Sequence, residues 1–135
     1  MTRKEFILAL CRAFEADNND IFIRGQKNGW LEYEDELYSD DPVTRKNIAR
    51  IIHMYLLKEL YIPDLYDIQK AEVLRDLYDC RTCANHVAQV YLRGIMDARD
   101  LAASGGFIWF DLDGIDESSV IDEYLRRAVC VVGSL

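Results

Sequence analysis

Apolar residues in this chain recur at the spacing of an α-helix far more often than at the alternation of a strand, and that periodicity constrains the fold most. From Arg3 to Glu15, Phe6, Leu10, Ala13 and Phe14 fall at i, i+4, i+7 and i+8, with Ile7 and Cys11 beside them. Ile48, Ile51, Ile52, Tyr55 and Leu56 repeat the pattern over residues 44–60. Leu74, Leu77 and Tyr78 predict a third helix from about Ile68; Val87, Val90, Tyr91 and Ile95 predict a fourth; residues 120–132 form the last. Only Gly106 to Phe110 reads as extended, and it is short and isolated. The expected class is all-α. Half of the 135 residues are hydrophobic, and the two prolines and seven glycines mark no linker, so residues 1–135 read as one domain.

The helix starts are the most informative local feature. Thr2 and Glu5 have the spacing of a capping box, in which a hydroxyl accepts from the third helical amide and the carboxylate reaches back. Thr44 with Asn47, and Ser119 with Asp122, open two more helices in similar style. Thr-Arg-Lys-Glu at 2–5 and Thr-Arg-Lys-Asn at 44–47 both place bases in the first turn, where the helix dipole disfavours them by about 0.3–1 kcal/mol each. Solvated side chains would feel this little. Alternatively, free amides and a guanidinium converge there on one carboxylate or phosphate.

At these caps the chain resembles the S-layer homology family, in which each repeat has a helix ending in a Gly-Ile-like turn, an acidic loop, and a second helix opened by Thr-Arg-Ala-Glu. Gly29-Trp30-Leu31, the loop through Asp41-Pro42 and Thr44-Arg45-Lys46-Asn47 look like one repeat. Asp67-Ile68 through Gly94-Ile95-Met96, then Phe110 to Gly114 and Ser118-Ser119 onward, look like another, while Thr2-Arg3-Lys4-Glu5-Phe6 looks like the second half of a first. The resemblance implies an all-helical, pseudo-threefold bundle with a half-repeat at about 1–16 and repeats at about 17–61 and 62–135. It also implies inter-repeat grooves that bind cell-wall polysaccharide. Carried over by position, Thr2, Arg3, Thr44 and Arg45 would face the ligand with Trp30, while Gly29 and Gly94 would allow close backbone approach. The third cap has no arginine, which implies one groove fewer.

The charge supplies a second reading. With 24 acids against 16 bases the net charge is −8, which disfavours direct contact with nucleic acid or with an anionic membrane. Residues 32–41 hold six acids and no base, and so do residues 111–123. Most simply these are solvated loops. They also suit a basic protein partner or mimicry of nucleic-acid phosphate, as in a small acidic inhibitor encoded by a mobile element. Glu32, Glu34, Asp35, Glu36, Asp111, Asp113, Asp116 and Glu117 would then make the contact.

Catalytic signatures are missing: there is no Ser–His–Asp order, phosphate loop or zinc-protease motif. No enzyme activity and no cofactor are expected. Cys80, Cys83 and His86 lie at helical spacing but form a single ligand cluster with one CxxC, a weak zinc candidate, and all four cysteines read better as free thiols. No signal peptide or membrane span is read, so the expected location is the cytoplasm, or the cell surface if Met1 is not the natural start.

Overall fold

The structure is a computed structural model, and it describes residues 1–100 and 105–135. Helix α1 (Arg3–Ala13) begins where the capping box places it. The Glu5 amide donates to the Thr2 hydroxyl at 3.1 Å, and the Thr2 amide donates to the Glu5 carboxylate at 2.8 Å. The Thr2 backbone amide, with help from its hydroxyl, holds the Glu5 carboxyl below its usual pKa, since hydrogen bonds to a carboxylate favour the anion. Phe6, Ile7, Leu10 and Cys11 form the buried face.

Helix α2 (Ile21–Asn28) and helix α5 (Ala84–Leu92) end alike. Gly29 follows α2 with φ +88° and Gly94 follows α5 with φ +74°, a left-handed conformation that glycine adopts without strain. The next residue folds back in each case: the Trp30 amide donates to the Gly25 carbonyl at 3.0 Å, and the Ile95 amide to the Val90 carbonyl at 2.9 Å. Trp30 and Ile95 thereby enter the core. Between α2 and helix α4 (Arg45–Met54) lies the short α3 (Tyr33–Leu37), and α4 runs on into a π-helical turn at Tyr55–Glu59. A two-residue antiparallel ribbon pairs β1 (Arg99–Asp100) with β2 (Ile108–Trp109), and α6 (Ser118–Gly133) closes the chain.

Helix α1 packs on α6 and α4 packs on α5, around one continuous core that runs from Phe6 to Ala128. Among the described residues the fold is helical apart from the ribbon and isolated bridges, and no helix is long and apolar enough to cross a membrane.

Three local expectations need correction. The helix expected from Ile68 is two 3-10 turns, Gln69–Val73 and Leu77–Asp79. Between them the Arg75 amide donates to the Ile108 carbonyl at 3.0 Å, and the buried Asp76 carboxylate accepts from the Phe110, Asp111 and Leu112 amides. Those partners hold the backbone out of a helix. The extended stretch before Phe110 is real at Ile108–Trp109, but it is paired, not isolated. Finally, α6 starts at Ser118 with Glu117 in the N-cap position, directly after the buried Asp116, and not at a Ser119 cap.

Candidate functional site

The two arginine caps are docked on the acidic runs. At α1, the Arg3 and Lys4 amides donate to the Asp41 and Ser39 carbonyls, both at 2.9 Å. At α4, the Arg45 and Lys46 amides donate to the Gly114 and Leu112 carbonyls, again both at 2.9 Å. The first two amides of each helix, which an external anion would need, are therefore already satisfied.

The guanidinium groups are engaged as well. Arg45 is 1% exposed. Its Nη1 donates to Asp116 at 2.7 Å and to the Tyr124 hydroxyl at 2.5 Å, its Nε to the Phe110 carbonyl at 2.7 Å, and its Nη2 to the Asp97 carbonyl at 2.5 Å. The Phe110 ring lies 4.6 Å from its centre, a cation–π contact. Arg99 is the second cation on Asp116. Arg3 donates to Asp35 at 3.2 Å, and Arg50 grips the same carboxylate through both terminal nitrogens at 2.5 and 3.0 Å. Asp35 and Asp116 thus each sit between two arginines, the arrangement that keeps a buried charge tolerable. The anion expected at the arginine caps is internal.

This redistributes the residues expected from the sequence. Arg45 and Trp30 are buried and cannot face a ligand; Trp30 instead stands edge-on to Tyr55 at 4.9 Å. Thr2 is taken up by its capping box. The Thr44 hydroxyl accepts from Asn47 at 2.9 Å and makes no bond to the helix backbone. Gly29 and Gly94 are required for their positive φ; a side chain at Gly94 would meet nothing within 4 Å, so neither marks a close approach. The acidic runs split. Asp35 and Asp116 are buried and Asp111 pairs with Arg99 at 3.0 Å, whereas Glu32, Glu34, Glu36, Asp113 and Glu117 remain exposed.

A polar groove of about 220 Å³ lies between α4 and the start of α5, lined by Glu32, Lys46, Asn47, Arg50, Thr82, Cys83 and His86. Arg50 is oriented by Asp35. The Lys46 ammonium pairs with Asp113 at 2.8 Å, and that carboxylate is 81% exposed, so Lys46 is easily redirected. His86 comes from the α5 wall and joins His53, Nδ1 to Nδ1, at 2.7 Å; His53 Nε2 lies 2.6 Å from Asp64. Arg50 and Asp64 did not emerge from the sequence. His53 carried a signal, because a polar residue on the apolar stripe of α4 needs a buried partner.

Burial, with help from His53 and Arg50, lowers the His86 pKa from 6.5 to about 4. Native protein therefore refuses a proton that the unfolded chain takes up below 6.5. Stability contributed by neutral His86 is complete above that value and is lost as pH falls toward 4. In low-salt buffer, unfolding free energy should drop by about 2–3 kcal/mol across that window, and His86→Gln should flatten the curve. Urea titrations at several pH values measure it, and equal slopes in both proteins would refute it.

The remaining candidates concern sulfur. Cys80 and Cys83 are joined in a disulfide, which corrects the free-thiol expectation for this pair; Cys11 is free and buried, and Cys130 is free and exposed. In this state neither Cys80 nor Cys83 offers a thiolate to zinc, and among the described residues no three His, Cys, Asp or Glu side chains converge as a metal would require. Compared with known proteins, the chain matches no family model, no curated protein and no solved structure.

Proposed function

We propose that this chain is a non-catalytic binding module that holds an anionic ligand, of the kind an acidic wall glycan presents, in the groove between α4 and α5. The observation that carries the reading is the groove itself: two cations, one amide and one hydroxyl side chain line a concave site large enough for a single sugar ring. Its setting supports the S-layer-homology resemblance. Helices α1 and α4 start on the same backbone bonds to an acidic loop, and Gly29 and Gly94 close the same turn. Repeated helix–loop–helix units at about 17–61 and 62–135, after a half-unit at about 1–16, would produce both features. The groove then lies between units, with Glu32 and Lys46 from one and Thr82 and His86 from the next.

The test is calorimetric titration with an acidic oligosaccharide such as oligogalacturonate, beside sedimentation with purified cell walls. Lys46→Ala removes one charge-assisted bond and should weaken binding about 10-fold or more. Glu32→Gln removes the one exposed carboxylate of the lining and should tighten it. Binding that ignores both substitutions would discard this groove.

A second reading has its own observation. On and just after α3, Tyr33, Leu37 and Tyr38 are exposed beside Glu34 and Glu36, a composition suited to docking on a basic protein. A Tyr33→Ala, Leu37→Ala variant that loses a captured basic partner, yet still binds oligogalacturonate, would favour it.

A further inference from the structure

One wall of the groove is the end of a hydrogen-bonded chain. His53, on the core side of α4 and 4% exposed, bonds Asp64 through Nε2 and His86 through Nδ1. Asp64 also accepts from Asn85 at 3.0 Å. Burial alone would raise the Asp64 pKa, but the bonds from His53 and Asn85 outweigh it and hold the carboxyl below its ordinary value. An ionised carboxylate only accepts, so His53 Nε2 carries hydrogen.

Two imidazole nitrogens 2.7 Å apart hold one proton between them, since two hydrogens would collide and two lone pairs would repel. With His53 neutral, that proton belongs to His86 Nδ1, and His86 Nε2 keeps a lone pair. Among the described residues nothing bonds Nε2, and His86 lines the groove. A proton captured at Nε2 changes the arrangement without moving a heavy atom. The shared proton passes to His53 Nδ1, His86 stays neutral with Nε2–H, and the positive charge comes to rest on His53 against Asp64.

We propose that Asp64, His53 and His86 form a proton relay opening into the groove at His86 Nε2, and that the groove takes up an anion together with one proton. The inference rests on the reading of the groove as an anion site. The groups around the relay are Arg50 and Lys46 of α4, Asn85 and His86 of α5, Glu32 before α3, and Arg93 acting on Asp64. Without an anion, burial, His53 and Arg50 oppose a further positive charge, in keeping with the depressed His86 pKa. A bound anion reverses that field and gains Nε2–H as a donor. The proton comes from solvent, and no covalent bond other than N–H forms or breaks.

Sulfate is a suitable probe because it does not titrate between about pH 5 and pH 8, where histidine does. Calorimetric titration of the full chain with sulfate, near neutral pH in two buffers of contrasting ionisation enthalpy, should show uptake approaching one proton per anion bound. The sulfate Kd should rise toward about tenfold per pH unit on the alkaline side, the limit for one linked proton. Asp64→Asn, outside the groove lining, should still bind sulfate but lose most of the uptake, whereas His86→Gln should lose the uptake and weaken binding as well. Nitrogen NMR of the anion-free protein should show His86 Nε2 unprotonated. Sulfate binding with no proton uptake, or a hydrogen on Nε2 before sulfate is added, overturns the relay and leaves the anion groove standing. A failure to bind sulfate at all overturns both.

Discussion

Arg45→Met should destabilise the protein by about 3–5 kcal/mol, although it removes a base from a helix amino terminus. Judged from the helix dipole alone, the same change would be neutral or slightly favourable. The structure decides between these by burial. The side chain is 1% exposed and serves four acceptors, so truncation takes the guanidinium from the Phe110 and Asp97 carbonyls and leaves Asp116 with Arg99 as its one cation beside the Tyr124 hydroxyl. Methionine keeps most of the volume, which separates the electrostatic loss from a cavity. Lysine should recover little, because an ammonium cannot reach acceptors arranged for a planar fork. The measurement is the urea midpoint of each variant. A loss under about 1 kcal/mol for Arg45→Met would mean that water reaches the site and that the guanidinium is not the hub of the 110–116 loop.

Asp35→Asn should cost about 3 kcal/mol for the converse reason: it leaves two guanidinium groups facing a neutral amide. Arg3 and Arg50 are 11% and 12% exposed, so each retains some hydration and the loss falls at the low end for a broken buried pair. The Glu32 amide, which donates to Asp35 at 2.8 Å, can keep its bond to an asparagine oxygen. Arg3→Met on the Asp35→Asn background should therefore recover part of the loss, because the uncompensated charge goes with it. A double-mutant cycle by chemical denaturation reads the coupling directly. Strict additivity would show that Arg3 and Asp35 do not share an ion pair.

Much of the helical framework was legible because its determinants are local. Thr2 with Glu5, and the apolar stripes of α1 and α4, act over three or four residues, a distance at which sequence spacing and spatial contact coincide. The region around Leu74 shows where that fails. Its spacing suits a helix, yet Asp76 answers to three amides near residue 110, and no local signal announces such a demand. The site was half legible for the same reason. Arginines at both caps and carboxylates in both loops stood out as separate oddities, but their complementarity joins positions 32 and 71 residues apart. Asp35 stands three residues after Glu32, from whose amide it accepts, and one turn of α3 turns it inward, where Arg3 and Arg50 await it. The groove was least legible, since it needs α4 and α5 side by side before Lys46, Arg50 and His86 share a wall.

Apart from the Thr2 hydroxyl, the acceptors that complete the arginine caps lie downstream of them in the chain. The start of α1 waits for residues 35 to 41, and the start of α4 waits for residues 97 to 116. During synthesis, then, α4 leaves the ribosome with its arginine unneutralised and its first amides open, and stays so until some seventy further residues have followed. Solenoid repeats gain stability one neighbour at a time, and a truncated array is a shorter version of the whole. Here the last loop supplies part of an earlier helix, so a nascent or clipped chain ending before Asp116 is an open structure with a buried charge lacking its carboxylate. Folding of this protein is for that reason closer to a single late event than to the stacking of units.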